Sequence, residues 1–139
     1  MRYLLLLAFL CCCLMGKAQD LNQFKWHHRI ILLLSEDTLQ PAYQQQWQWL
    51  KKEAEGMKAR QILVFHLDGQ YKQQIFPEKI AKTVDQDLYK SFQKNHDFTF
   101  VLLGIDGGDK LVKHKVISPA EIFEFIDQMP LRRMEMGKD

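Results

Sequence analysis

Residues 29–35 read RIILLLS, an unbroken apolar run of the kind that forms a strand covered on both faces. A second apolar run, QILVFHLD, occupies residues 61–68. Between the two runs, over residues 41–57, apolar side chains recur every three or four positions, which predicts one amphipathic helix. Because a crossover helix joins parallel strands, we expect these two strands to pair in parallel.

The third apolar run predicts a hairpin. Residues 98–105 read FTFVLLGI and are followed by the turn Asp-Gly-Gly-Asp at residues 106–109. Glycines in such a turn supply the positive φ angles that tight hairpins need. Residues 110–116 then alternate apolar and polar positions, which is typical of an edge strand.

Two more helices complete the predicted order. Apolar spacing over residues 84–92 predicts one of them, and a capping box at Ser118 and Glu121 begins the other, which Pro130 ends. The spacing of this last helix predicts a buried face of Ile122, Phe125, Ile126 and Met129. Before residue 84 the periodicity is weak, and we expect a short helix after Pro77. The predicted fold class is therefore α/β and thioredoxin-like, β-α-β-α-β-β-α with a central mixed sheet.

The first 18 residues have the three parts of an export signal. Arg2 is followed by an uncharged apolar run at residues 3–15 and by the small residues Gly16 and Ala18. The run is too short to cross a membrane, which takes about 20 apolar residues. We predict a cleaved signal peptide at residues 1–18, a thioredoxin-like domain at residues 19–139, and a periplasmic or secreted location without a membrane span. A retained signal anchor is the alternative.

Cleavage removes the features that suggest redox or nucleic-acid chemistry. All three cysteines lie at residues 11–13, so the mature domain has no thiol. The site of the reactive cysteines in thioredoxin-like enzymes is held here by Ser35-Glu36-Asp37-Thr38. Thiol-disulfide oxidoreductase or peroxidase activity is not expected. The mature chain has 17 basic and 17 acidic residues, a balance unlike that of nucleic-acid binders.

No sequence pattern predicts a metal or a cofactor. Adjacent His27 and His28 point to opposite faces of an extended segment, so a shared metal is disfavoured. His66 and His114 have no second ligand at a useful spacing. The glycine turn at residues 106–109 lacks the phosphate-loop pattern and precedes a strand.

Three strings of residues resemble one family. They are Trp26-x-x-Arg29, LGIDGGDK at residues 103–110 and IDQMPLRRMEM at residues 126–136. The chain resembles the secreted "domain of unknown function 4174" family, with Ile105 where that family usually has lysine. The resemblance implies an exported, thioredoxin-like domain distantly related to peroxiredoxins, and it implies no established reaction.

The first functional hypothesis is a non-catalytic binding or interaction module. Its partner would be an extracytoplasmic protein or a small anionic ligand. The charged and aromatic residues of the three strings are its candidate contacts: Trp26, Arg29, Asp106, Lys110, Arg132 and Arg133. In the structural alternative, the two arginines of the tail pair with acids such as Asp106 or Asp127. Trp49 is a further candidate contact, or it packs against the segment before residue 84.

The second hypothesis is an enzyme that works without a thiol. Glu36, Asp37 or a histidine would act as general base near the end of the first strand. This hypothesis predicts a concave pocket there with a carboxylate of perturbed pKa. In a third possibility the signal is retained and its thiols function near the membrane.

Overall fold

A computed structural model of the chain describes residues 20–93 and 95–137. The predicted signal peptide at residues 1–18 and its cleavage site lie outside this part. The described residues form one six-stranded mixed sheet in the order β4-β3-β2-β1-β5-β6. Its strands are β1 (Arg29–Leu34), β2 (Ile62–Leu67), β3 (Tyr71–Phe76), β4 (Thr83–Val84), β5 (Thr99–Leu103) and β6 (Asp109–Lys113).

Five helices and one 3-10 turn are present in the described residues. The turn spans Leu21–Phe24, and the helices are α1 (Pro41–Lys52), α2 (Ala54–Ala59), α3 (Gln86–Phe92), α4 (Pro119–Asp127) and α5 (Pro130–Glu135). The predicted crossover helix is in fact two helices, because the backbone leaves the helical conformation at Glu53.

The predicted strand pairing is confirmed. β1 pairs in parallel with β2, with Arg29 opposite Ile62, and β5 pairs antiparallel with both β1 and β6. Every residue of β1 is buried, as expected for a strand covered on both faces. One face packs against α1, α2 and α4, and the other packs against α3 and the 3-10 turn.

The segment before residue 84 differs from the prediction. Instead of a helix after Pro77, the described chain has β3, which pairs antiparallel with β2, and the short edge strand β4. Every second residue of β3 is buried, but two of these are the polar residues Lys72 and Gln74. The positions of β3 therefore alternate between buried and more exposed, as in any half-covered strand. Its residues do not alternate between apolar and polar, so the sequence does not show this pattern.

The closing helix begins as predicted. The Ser118 side chain accepts a hydrogen bond from the backbone N–H of Glu121, and Pro119 occupies the first turn. Ile122 and Ile126 are fully buried, whereas Phe125, which the helical spacing also placed in the core, is 37% exposed. Phe125 points instead toward a surface groove that α4 shares with α5.

Candidate functional site

Arg29, the first residue of β1, is a fully buried cation. Its Nη1 and Nη2 atoms each donate to a different carboxylate oxygen of Glu135, both at 3.2 Å, and Nη1 also donates to the Arg60 carbonyl at 3.0 Å. The Nε–H group is buried and has no hydrogen-bond partner within the described part of the chain. A buried guanidinium needs such a paired carboxylate, so Glu135 anchors the C-terminal helix to the centre of the sheet.

A second carboxylate extends this contact into a network. Asp127 accepts two hydrogen bonds from Arg60, at 3.0 and 2.7 Å, and one from the Nε of Arg132 at 3.1 Å. Arg132 also donates to Glu135 at 3.3 Å. We call Arg29, Arg60, Asp127, Arg132 and Glu135 the arginine network; it ties β1 and the end of α2 to α4 and α5.

The arginine network lies beside an apolar groove of about 370 Å³. The groove runs between the end of β5, the β5–β6 turn and the junction of α4 with α5. We call it the tail groove; its lining residues are Arg29, Gly104, Ile105, Asp106, Lys110, Phe125, Met129, Pro130 and Leu131. Phe125 and Leu131 of the lining are exposed by 37% and 41%, and Met134, also on α5, is exposed by 65%. Apolar side chains left open around a concave surface are typical of a contact site.

The hairpin turn forms the polar wall of the tail groove. Asp106 accepts hydrogen bonds from the Gly108 N–H at 3.0 Å and from the Lys110 ammonium at 2.9 Å. The bond from Lys110 and the bond from Gly108 hold the pKa of Asp106 below its usual value. The carboxylate and the ammonium are thus already paired and give this wall little net charge.

Trp26 lies next to the hairpin. Its backbone N–H donates to the Ile105 carbonyl at 2.6 Å, and its side chain is 65% exposed. Its φ of 68° is in the left-handed region, which is costly for a bulky residue. A largely exposed tryptophan side chain on a strained backbone is a combination more typical of binding sites than of a core.

A different concave region lies at the opposite end of β1. Glu36 and Asp37 separate two clefts of about 770 and 570 Å³. The smaller cleft also contains the buried His66 and the carboxylate of Asp68. Burial opposes ionisation of Asp68, but hydrogen bonds from the backbone N–H groups of Tyr71 and Gln70 outweigh it and lower its pKa. The second hypothesis therefore has the concave region it requires.

One protein family matches most of this chain. The sequence profile described as "Domain of unknown function (DUF4174)" matches residues 20–135, which include the tail groove and the arginine network. The chain belongs to the DUF4174 family. The match starts next to the predicted end of the signal and stops at Glu135, the partner of Arg29.

Much longer proteins contain related sequences. The DUF4174 chain is 29% identical over 134 residues to zebrafish (Danio rerio) "Coiled-coil domain-containing protein 80", covering 84% of this chain and 16% of that protein. It is 26% identical over 121 residues to human "Sushi repeat-containing protein SRPX2", covering 84% of this chain and 26% of that protein. The chain thus spans only 16% and 26% of the length of these two relatives. No solved structure matches it at a significant level.

The described part of the DUF4174 chain lacks both a membrane-spanning helix and a cluster of metal ligands. No helix in residues 20–93 and 95–137 is long and apolar enough to cross a membrane. Within the same ranges, no three or more His, Cys, Asp or Glu side chains gather into a group suited to a metal ion.

The six predicted contact residues fall into two sets. Arg29, Asp106 and Lys110 line the tail groove, and Trp26 touches its wall through the Ile105 carbonyl. Arg132 does not lie open as a contact: its side chain is 12% exposed and pairs with Asp127, as in the structural alternative. Arg29 is likewise enclosed and paired with Glu135. Arg133 lies exposed on α5.

Sequence reasoning missed the apolar half of the groove. Phe125 was placed in the core, and Met129 and Leu131 carried no functional prediction. The sequence signal for the groove lies in residues 126–136. Pro130 stands between the apolar residues Met129 and Leu131, and proline often begins a helix, as it begins α5 here. Trp49, the other candidate contact, is half-buried on α1.

The arginine network predicts a loss of stability in acid. Burial opposes ionisation of Asp127, but hydrogen bonds from Arg60 and Arg132 hold its pKa below the ordinary value. A lowered pKa contributes stability above the unfolded value of about 3.9, and this contribution disappears as the pH falls through the folded value. We expect the melting temperature to fall from about pH 5 toward pH 3, and Asp127→Asn to flatten the dependence. Thermal melts across this range check it, and equal slopes for both proteins would contradict the network's role.

Proposed function

We propose that the mature chain is an exported, thioredoxin-like, non-catalytic interaction domain that holds an apolar segment of an extracytoplasmic protein in the tail groove. The observation that carries this proposal is the groove itself, concave and apolar, with Phe125 and Leu131 of its lining partly exposed. Interfaces typically seat one large apolar side chain in such a pocket and surround it with polar contacts.

The charges around the groove favour a protein segment over a small anion. Arg29 and Arg132 already pair with carboxylates, and Lys110 pairs with Asp106. A small anion would have to displace one of these acids, whereas an apolar side chain has only to fill the groove. Arg29 lines the groove but is fully buried, so it offers a small anion no open positive charge.

The relatives support a modular role. Similar sequences occupy 16% of "Coiled-coil domain-containing protein 80" and 26% of "Sushi repeat-containing protein SRPX2". A domain used as one part of a long chain commonly supplies a contact surface. Residues 1–18 support export, and their removal leaves no cysteine for thiol chemistry.

The strand order supports the thioredoxin-like part of the proposal. The parallel β1–β2 pair, the helix α3, the antiparallel β5–β6 hairpin and α4 follow one another in the order predicted for that core. The four core strands are neighbours in the order β2-β1-β5-β6, and β3 and β4 extend the sheet beyond β2.

A capture experiment with matched variants tests the proposal. The mature domain is immobilised and exposed to extracytoplasmic proteins of its source. Leu131→Asp places a charge in the groove and should reduce capture of the partner at least tenfold. Leu39→Asp is the matched control, because Leu39 is 78% exposed and lies beyond the opposite end of β1. Both variants should melt like the parent. Full capture by Leu131→Asp, or equal loss in both variants, would overturn the proposal.

Trp26 gives a separate prediction. Glycine adopts a φ of 68° without strain, so Trp26→Gly should keep the melting temperature or raise it slightly. If the exposed indole contributes to the interface, the same variant should weaken partner binding by about tenfold, an amount common for interface tryptophans. Melting curves of Trp26→Gly check the expected stability, and binding isotherms of the same variant check the expected loss of affinity. A clear loss of stability with normal binding would assign Trp26 to the fold instead.

The second candidate is acid–base catalysis at the end of β1. The cleft that contains Glu36, Asp37 and His66 is the observation that favours it. The lowered pKa of Asp68 argues against that carboxylate as a proton donor at neutral pH. A bell-shaped pH–rate profile that depends on His66 would support this candidate over the interaction domain.

A further inference from the structure

His66 has an unusual environment for a residue in the middle of a sheet. It lies on β2, is 6% exposed, and its ring meets Tyr43 edge-on with centroids 4.9 Å apart. Its Nδ1 atom is buried and has no hydrogen-bond partner among the described residues. Buried polar atoms are nearly always bonded, so this nitrogen is an exception. Because His66 also lines a cleft, a molecule held there would lie beside its ring.

The cleft beside His66 has the size of a small-molecule site. Its volume of about 570 Å³ is within the usual range for ligand pockets, about 300–1,000 Å³. It opens between the ends of β1 and β2, the start of α1 and the chain that follows β3. Its walls include Glu36, Trp47, Asp68, Gln73 and Lys82, and we call this region the His66 cleft.

The polar groups of the His66 cleft include strong donors and strong acceptors. Glu36 and Asp68 bring carboxylates, and Lys82 brings an ammonium. Gln73 brings an amide whose nitrogen already donates to the Ile80 carbonyl at 2.8 Å and whose oxygen can accept. Asp68 stays ionised at neutral pH because its pKa is lowered. Burial lowers the pKa of His66, opposed by the Asp68 carboxylate and the Leu33 carbonyl, so its ring is neutral.

This mixture selects for one kind of ligand group. A carboxylate accepts hydrogen bonds only, an ammonium donates only, and a neutral imidazole nitrogen does either according to its tautomer. A hydroxyl group both donates and accepts, so several hydroxyls on one molecule satisfy all these partners together. Lysines 79 and 82 nearly balance the acids of the walls, which removes a strong preference for a net anion or cation.

The aromatic residues complete the match. Trp47 lines the cleft as a half-buried residue, and Tyr43 lies beside His66. The electron-rich faces of such rings attract the weakly positive C–H edges of a saturated ring. From the buried Nδ1 of His66, the surrounding donors and acceptors and this aromatic surface, we propose that the His66 cleft binds a small polyhydroxylated molecule of the mono- or disaccharide class.

This site is separate from the proposed interaction surface. His66 and Glu36 lie toward the carboxyl end of β1 and β2, whereas Arg29 and the tail groove lie at the other end of β1. Sugar binding also requires no reaction. A failed sugar titration therefore leaves the capture experiment unaffected, and a failed capture leaves the sugar site unaffected.

An NMR titration of the histidine rings tests the inference. The ¹⁵N-labelled mature domain is titrated with glucose, galactose, mannose, N-acetylglucosamine and their common disaccharides. At least one sugar should shift the ring nitrogens of His66 and saturate with a dissociation constant of about 1 mM or tighter. Those of His114, which is exposed on the chain after β6, should not move with it.

Matched variants and other ligands make the result decisive. Glu36→Gln keeps the size of the side chain and should weaken sugar binding at least fivefold, whereas Glu124→Gln, on the exposed side of α4, should not. Glycine, glutamate and inorganic phosphate are titrated in parallel. No saturable His66 shift with any sugar would overturn the inference, and so would a shift produced by the amino acids or by phosphate but not by sugars.

Discussion

Glu135→Gln should lower the free energy of unfolding by about 2–4 kcal/mol, because it leaves the buried Arg29 guanidinium without its counter-charge. Removing one partner of a buried ion pair typically costs about 3–5 kcal/mol. We expect a smaller loss than this typical cost because the Glu135 side chain is 26% exposed, so water can partly replace the lost carboxylate. Denaturant unfolding monitored by circular dichroism measures the change.

Other substitutions at Glu135 and Arg29 test the same ion pair. The glutamine amide can still accept from one guanidinium nitrogen, so Glu135→Ala should be the more damaging change. Glu124→Gln on the exposed face of α4 is the matched control and should stay within about 0.5 kcal/mol of the parent. A double variant, Arg29→Met with Glu135→Met, removes both charges and should recover much of the loss. Equal losses for Glu135→Gln and Glu124→Gln would show that the buried pair contributes nothing.

Gln46→Ala should cost about 3 kcal/mol, although it lies in a helix that is rich in glutamine. The Gln46 side chain is fully buried and makes two hydrogen bonds to Ile117. Its amide donates to the Ile117 carbonyl at 2.9 Å, and its oxygen accepts from the Ile117 N–H at 2.8 Å. Alanine leaves both backbone groups buried without partners and opens a cavity between α1 and the segment before α4.

A neighbouring residue supplies the control for Gln46. Gln45→Ala makes the same chemical change one position earlier, on the exposed face of α1, and should alter stability by less than about 0.5 kcal/mol. Gln46→Glu should also destabilise the fold, since it removes the donor and buries a charge. If Gln46→Ala and Gln45→Ala unfold at the same denaturant concentration, the bridge to Ile117 does not hold α1 to the segment before α4.

Elements with local signals could be predicted from the sequence. The apolar run of β1, the glycine turn before β6 and the capping box at Ser118 each depend on residues close together in the chain. For β3, the inward positions include Lys72 and Gln74, whose burial depends on distant partners. Lys72, for example, pairs with Asp85 at 2.9 Å. Composition alone cannot show which lysine is enclosed.

In the candidate site, too, contacts between residues close in the chain could be predicted and contacts between distant residues could not. Asp106 and Lys110 were both predicted as contacts within one hairpin, and they lie together there as an ion pair. Arg29 was interpreted as an open contact, but its surroundings are decided by Glu135, 106 positions later in the chain. The single buried glutamine among the many of α1 is chosen by Ile117, which is 71 positions away. Such long-range pairings leave no periodic pattern in a sequence.

The central claim, that the tail groove is the contact surface, is tested most directly by photo-cross-linking in the living source cell. Benzoylphenylalanine replaces Leu131 or Phe125 in the groove, and Leu39 or Gln45 at the control positions, which are exposed elsewhere. The account predicts one discrete cross-linked product at positions 131 and 125 and none at positions 39 and 45. The same product at the control positions, or a product at those positions only, would contradict it.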